Sequence, residues 1–129
     1  MISCGGMATS PKSARTEHRL SIRVDLAGGA RIGPGKVALL EAIGRTGSIS
    51  AAGRALRMSY RRAWDLVEEL NRSLGCAVVA TAAGGPGGGG ASLTAAGEAV
   101  VGEYRAIQAA AEAAARRHVA ALARACSRP

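Results

Sequence analysis

The sequence predicts a mainly helical domain with a little β structure, an α+β fold, on three observations. An alternating apolar run, Leu20, Ile22, Val24 and Leu26, precedes everything else and has the period of a half-buried strand. Three short helical segments follow, two of them opened by a serine. A glycine-rich loop between two strand candidates then leads into one long alanine-rich helix. Size agrees with a single domain: 129 residues, 48% hydrophobic and 20% charged, with 2% aromatic and no Phe. Such a core must be built from Ala, Val, Leu and Ile and is thin, so support from dimerisation is expected. A large multi-domain enzyme is excluded, and so is a membrane-spanning protein, because no run approaches the ~18 apolar residues needed; an anionic membrane surface is a weaker alternative to nucleic acid as the partner of so basic a chain, and no membrane partner is expected.

Residues 1–19 are small, polar and basic and read as a disordered tail, within which Met7 is an alternative start. They lack the apolar stretch of a secretory signal. The strand from Leu20 turns at Gly28-Gly29, and Ala30-Arg31-Ile32 returns as the second arm of a small hairpin. Gly33-Pro34-Gly35 ends it, with Pro34 suited to the first turn of a helix that carries Val37, Leu39, Leu40 and Ile43. Ser48 caps the next helix, whose inward face is Ile49, Ala52, Ala55 and Leu56. After a turn at Arg57-Met58, Ser59 caps another, with Ala63, Leu66 or Val67, Leu70 and Leu74 inward and Gly75 as its terminator. Residues 76–81 read as a strand, 82–90 as a loop with six glycines and Pro86, and Ala91-Ser92-Leu93 as the returning strand. Thr94 caps the long helix of residues 95–125, whose stripe of Val100, Tyr104, Ile107, Ala111, Ala115, Val119 and Leu122 steps by 4, 3, 4, 4, 4 and 3, the spacing of a packed seam.

This order is that of a winged helix–turn–helix over residues 20–94, with the helix pair at about 48–74, the wing at about 77–93 and a dimerisation helix behind. Small residues at Ala51, Ala52 and Gly53 let the second helix cross the first closely. Charge supports a nucleic-acid partner: 17 basic against 9 acidic residues give +8, and fifteen of the basic residues are Arg. The exposed start of the second helix carries Tyr60, Arg61, Arg62 and Asp65, while Glu68 and Glu69 lie further along, where phosphates are not expected.

Three motifs carry a family resemblance: Gly47-Ser48-Ile49-Ser50-Ala51-Ala52, then Ser59-Tyr60-x-x-Ala63-Trp64-Asp65, and the run from Gly84 to Leu93-Thr94-x-x-Gly97. Together they resemble the amino-terminal domain of molybdate-responsive transcriptional regulators, the ModE family, over about residues 20–117. The first part is more loosely similar to LysR-type DNA-binding domains. The resemblance implies a homodimer that binds a palindromic operator in double-stranded DNA, with the long helix and the first hairpin building the dimer. It implies a cytoplasmic, nucleoid-associated regulator. Two departures stand out. Pro86 and Ala83 replace a basic residue and a Thr common in the family's wing, which should grip DNA less firmly. The chain ends at Pro129, so the molybdate-binding modules are expected to be absent, no cofactor is expected, and a separate effector-sensing protein would supply control.

The candidate DNA-contact residues are Ser48, Arg54, Arg57, Ser59, Tyr60, Arg61, Arg62 and Asp65, with Arg61 the favoured base reader and Arg54 and Arg57 facing the backbone. Tyr60 donates to a phosphate or packs on the scaffold; Trp64 is read as core. The wing candidates are Gly84, Gly85, Gly87, Gly88, Gly89 and Gly90, and the dimerisation candidates are Val100, Tyr104, Ile107, Ala111 and Leu122. The glycine run is not a phosphate cradle, because no Gly-Lys-Ser/Thr follows and it does not open a helix. Cys4, Cys76 and Cys126 lack a C-x-x-C pair, and His18 and His118 are isolated, so neither metal site nor disulfide framework is expected. Glu68 and Glu69 point to different sides of a helix, so no enzyme is expected. Two other functions compete: a winged-helix protein-interaction module acting with a separate regulator, and a small oxyanion-binding protein, for which no pocket residues are identifiable.

Overall fold

The computed structural model describes residues 18–82 and 90–126. The elements in chain order are β1 (Val24–Asp25), β2 (Arg31–Ile32), α1 (Pro34–Thr46), α2 (Ile49–Ala55), α3 (Tyr60–Leu74), β3 (Val79–Thr81), β4 (Ala91–Leu93) and α4 (Ala95–Cys126). Each two-stranded sheet is antiparallel, with Val24 opposite Ile32 in the first and Val79, Ala80 and Thr81 opposite Leu93, Ser92 and Ala91 in the second. Contacts divide the chain into two units, Ser21–Gln108 and a second whose described residues are 18–20 and 109–126.

In the first unit the core is aliphatic, as an aromatic-poor composition requires. α1 supplies Val37, Leu39, Leu40, Ala42 and Ile43, all without solvent exposure, and α3 adds Ala63, Val67 and Leu70. Truncating one of these leucines to Ala should cost about 2–5 kcal/mol, which is a large part of a small domain's stability. Local chemistry sets the helix ends. Pro34 occupies the first turn of α1, and Gly47 ends it in the left-handed region at φ 75°. Ser48 Oγ accepts the Ala51 N–H at 3.0 Å, Ser59 Oγ accepts the Arg62 N–H at 3.1 Å, and Thr94 Oγ1 accepts the Gly97 N–H at 3.0 Å. Gly75 closes α3 at φ 73°.

Five details differ from the sequence reading. The first strand is confined to Val24–Asp25, and Leu26 stands 45% exposed, because the turn bond from Gly29 N–H to Leu26 O already bends the chain there. Ala55 is exposed and Gly53 is buried on α2, since the helix faces α3 through its glycine. On α3 it is Val67 that is buried, Leu66 and Leu74 being only partly so. Residues 76–78 precede β3, because Asn71 Oδ1 accepts the Val78 N–H at 2.8 Å and takes that donor out of the ladder. Tyr104 is 2% exposed and its hydroxyl donates to Ile22 O at 2.7 Å, so it belongs to this unit's own core and is not an open seam position.

Two ion pairs tie elements of this unit together. Arg105 grips Glu41 through both oxygens at 2.9 and 2.6 Å, joining α4 to α1, and Lys36 reaches Glu69 on α3 at 3.2 Å while donating to Arg31 O. Arg105 holds the Glu41 carboxyl below its usual range, mainly by this hydrogen bonding, with partial desolvation opposing. In the second unit, His18, Arg19 and Leu20 line an open hollow with Glu112, Arg116 and Val119. Leu122 is 64% exposed there. The predicted tail lies outside the described residues except for His18 and Arg19, which are exposed, as do Ala83, Pro86 and wing positions Gly84, Gly85, Gly87, Gly88 and Gly89; Gly90 is described.

Candidate nucleic-acid interface

The helix pair is locked at one close approach. A Cβ placed on Gly53 would meet Ala63 Cβ at 3.3 Å and Met58 O at 3.4 Å, so α2 and α3 touch with almost no side chain between them. The intervening turn is tight: the Met58 N–H donates to Gly53 O at 2.9 Å and the Leu56 N–H to Ala52 O at 3.2 Å. To make it, Arg57 takes φ 61°, the left-handed conformation a non-glycine residue adopts at a cost of roughly 1–2 kcal/mol. The sequence shows a turn here but not this strain, because Arg carries no sign of left-handed preference.

With the buried stripe of α3 turned to α1 and α2, its start projects outward. Tyr60 is 58% exposed, and Arg61, Arg62 and Asp65 are exposed with it. Tyr60 and Trp64 pack edge to face at 6.2 Å, so the Tyr60 ring leans on its own helix's Trp64. Trp64 is partly buried against the core. Arg54 lies on the exposed face of α2, steadied by Ser50 Oγ at 3.0 Å, a hydroxyl the sequence reading passed over although it stands one turn before Arg54.

The wing stands against the same face. The Ala82 N–H donates to Gly90 O at 2.9 Å and extends the β3–β4 ladder by one pair, and the Ala91 N–H donates to Gly47 O at 2.9 Å, at the junction of α1 with the helix pair. Between wing base and helix pair lies an open cleft of about 270 Å³, lined among others by Ser48, Ser50, Tyr60, Trp64 and Thr81. Thus Ser48, Tyr60 and the wing base converge on one cleft. Arg61 and Asp65 share a neighbouring shallow groove with Glu68. Among the described residues no cluster of His, Cys, Asp or Glu has the arrangement of a metal site, and no helix is long and apolar enough to cross a membrane.

On α4 the other predicted positions separate. Val100 and Ala111 are partly buried, Ile107 is 43% exposed, and Leu122 is the most exposed large apolar residue among the described residues.

Short crossed helices, an exposed basic helix start and an adjacent two-stranded wing define a winged helix–turn–helix domain, a DNA-binding class of module. Residues 35–98 match the family described as bacterial regulatory helix–turn–helix protein, lysR family. The chain is 57% identical over 81 residues to the molybdenum-pterin-binding protein MopB of Rhodobacter capsulatus, covering 63% of this chain and 30% of that one. It is 36% identical over 90 residues to the molybdenum transport protein ModE of Azotobacter vinelandii, covering 70% of this chain and 33% of the relative. These matches support an amino-terminal helix–turn–helix domain of the ModE type, and the chain spans about a third of the length of these relatives. Among solved structures, a CbnR DNA-binding domain in complex with DNA superposes with TM-score 0.54 at 25% identity, covering 68% of this chain and 95% of that chain.

Proposed function

We propose that this domain binds a palindromic operator in double-stranded DNA as a homodimer and regulates transcription, the start of α3 entering the major groove. The observation that carries the reading is the joint exposure of Tyr60, Arg61 and Arg62 at the start of a helix locked against α2, beside a wing on the same face. The neighbour of known structure was solved on DNA, which supports this placement. In this arrangement Arg54 and Arg57 face the phosphate backbone, and the N–H groups beside Ser48 and Ser59 are oriented for it as well. Arg61 and Arg62 meet base edges or phosphates. The dimer is built through α4, where Ile107 and Leu122 leave apolar surface in water. The names of the related proteins, one a molybdenum-pterin-binding and one a molybdenum transport protein, support a molybdenum-related process as the one regulated.

The test is a fluorescence-anisotropy titration against the DNA upstream of the protein's own gene, with a scrambled duplex as control, at ~150 mM salt, with and without molybdate. Tight binding to the native duplex alone, falling steeply with salt, is the expected result. Replacing Arg61 and Arg62 by Ala should abolish the preference. Equal weak binding to both duplexes would overturn the reading in favour of an interaction module acting with another regulator.

A further inference from the structure

We infer that Arg61 and Asp65 form a base-reading pair, in which Arg61 selects guanine and Asp65 selects a cytosine one or two base pairs away. The inference rests on the DNA-binding reading above and adds the chemistry of its specificity. Successive residues of a helix turn by about 100°, so Arg61 and Asp65 lie within about 40° of each other. Both are diametrically opposite the buried stripe of Ala63, Val67 and Leu70. They are therefore the two most outward side chains of the first turns of α3, and both are exposed.

Their lack of mutual pairing is the informative part. Arg61 and Asp65 are one turn apart and of opposite charge, yet among the described residues neither is in an ion pair; Asp25, Glu41 and Glu69 are the paired acids. A carboxylate at the most outward point of a helix directed at a polyanion is repelled by phosphates. A base edge that offers a donor offsets that repulsion. In the major groove, guanine presents two acceptors, thymine one acceptor, and adenine a donor beside an acceptor. Cytosine alone presents an amino donor with no acceptor beside it, so it is the base a carboxylate selects. The guanidinium of Arg61 is matched in the same way to the two guanine acceptors. The two positions are separated by about 6 Å along the helix axis, at 1.5 Å per residue. With base pairs stacked about 3.4 Å apart, they address different pairs.

The experiment is selection of binding sites from a random duplex library with the full chain and its Asp65→Asn and Asp65→Ala variants, folding being checked by circular dichroism. The wild-type protein should enrich a motif holding a guanine column and a cytosine column one or two positions apart. Asp65→Ala should flatten the cytosine column alone, and substituting that base in the wild-type site should weaken binding on the order of tenfold to a hundredfold. Asp65→Asn should turn the column from cytosine to adenine, because an amide pairs with the adenine donor and acceptor together. A motif unchanged in both variants, or one whose binding strengthens equally for every sequence, would overturn the pairing while leaving DNA binding in place. Enrichment of no motif by the wild-type protein would overturn the DNA-binding reading and this inference together.

Discussion

Replacing Gly97 by Ala puts a methyl group where a backbone carbonyl already stands. The added Cβ would overlap Val78 O and lie 3.1 Å from Val78 C and 3.4 Å from Leu93 Cβ. Carbon and oxygen in ordinary contact sit more than 3 Å apart, so α4 and the segment leading into β3 must separate by roughly 1 Å. Val78 cannot withdraw cheaply. Its carbonyl accepts the Thr94 N–H at 3.1 Å, and its own N–H is held by Asn71 Oδ1 at 2.8 Å. Alanine in place of a helical glycine contributes about 1 kcal/mol of propensity, while overpacking costs about 1–3 kcal/mol and a strained or lost hydrogen bond about 1 kcal/mol more. The expected net effect is a loss of about 1–3 kcal/mol, or about 5–20 °C in Tm for a domain near 100 residues. Gly102 on the same helix is the control: a Cβ there meets nothing within 4 Å, so Gly102→Ala should raise Tm by about 4–8 °C. Both are read by circular dichroism melts at one fixed protein concentration. A Gly97→Ala protein as stable as wild type, beside a stabilised Gly102→Ala, would refute the steric argument.

Three further predictions follow from other parts of the structure. The Glu41 carboxyl is held below its ordinary value near 4.5, so the unfolded chain takes up protons before the folded one as pH falls; the pair's contribution is complete above that value and is lost below it. With side chains 40% and 33% exposed the effect is screened to less than about 1 kcal/mol, and urea midpoints at pH 7 and pH 4 should differ less in Glu41→Gln than in wild type. Arg57→Gly relieves the left-handed backbone while removing a cation: stability should change little, the salt slope of DNA binding should fall by about one unit, and Arg57→Val should destabilise by about 1–3 kcal/mol. Glu in place of both Ile107 and Leu122 should convert the proposed dimer to a monomer in sedimentation velocity; a wild-type dimer whose sedimentation coefficient the variant leaves unchanged would remove α4 from the interface.

What the sequence makes legible is what local chemistry decides. Ser48, Ser59 and Thr94 announce their helices because a hydroxyl before an apolar stripe has one obvious use, and each accepts the N–H three residues on. Gly75 is equally plain. Outcomes decided at long range are not legible. The stripe through Tyr104 has the spacing of a seam between helices, yet spacing does not say which neighbour fills it; the hydroxyl finds Ile22, 82 residues earlier. Asn71 reads as an ordinary helical polar residue until Val78 folds back upon it. Gly97 belongs to a motif in the sequence, but its reason, the Val78 carbonyl against its Cα, exists only after the wing has docked on α4. At the candidate interface the exposed cluster from Tyr60 to Asp65 was readable from the helix phase, whereas the cleft it shares with Thr81 depends on where the wing comes to rest.

The bond from the Ala91 N–H to Gly47 O has a mechanical consequence. Gly47 ends α1 and stands immediately before Ser48, whose side chain starts α2, so a single residue is the fulcrum for both the returning wing strand and the helix pair. The gap between wing base and helices is thus gauged inside the folded chain, like the jaws of a caliper set before use. Ordering these two jaws against each other adds no entropic cost at the moment of encounter. Any substitution that loosens the Gly47 hinge, although it touches no partner itself, should broaden the range of duplex shapes the domain accepts.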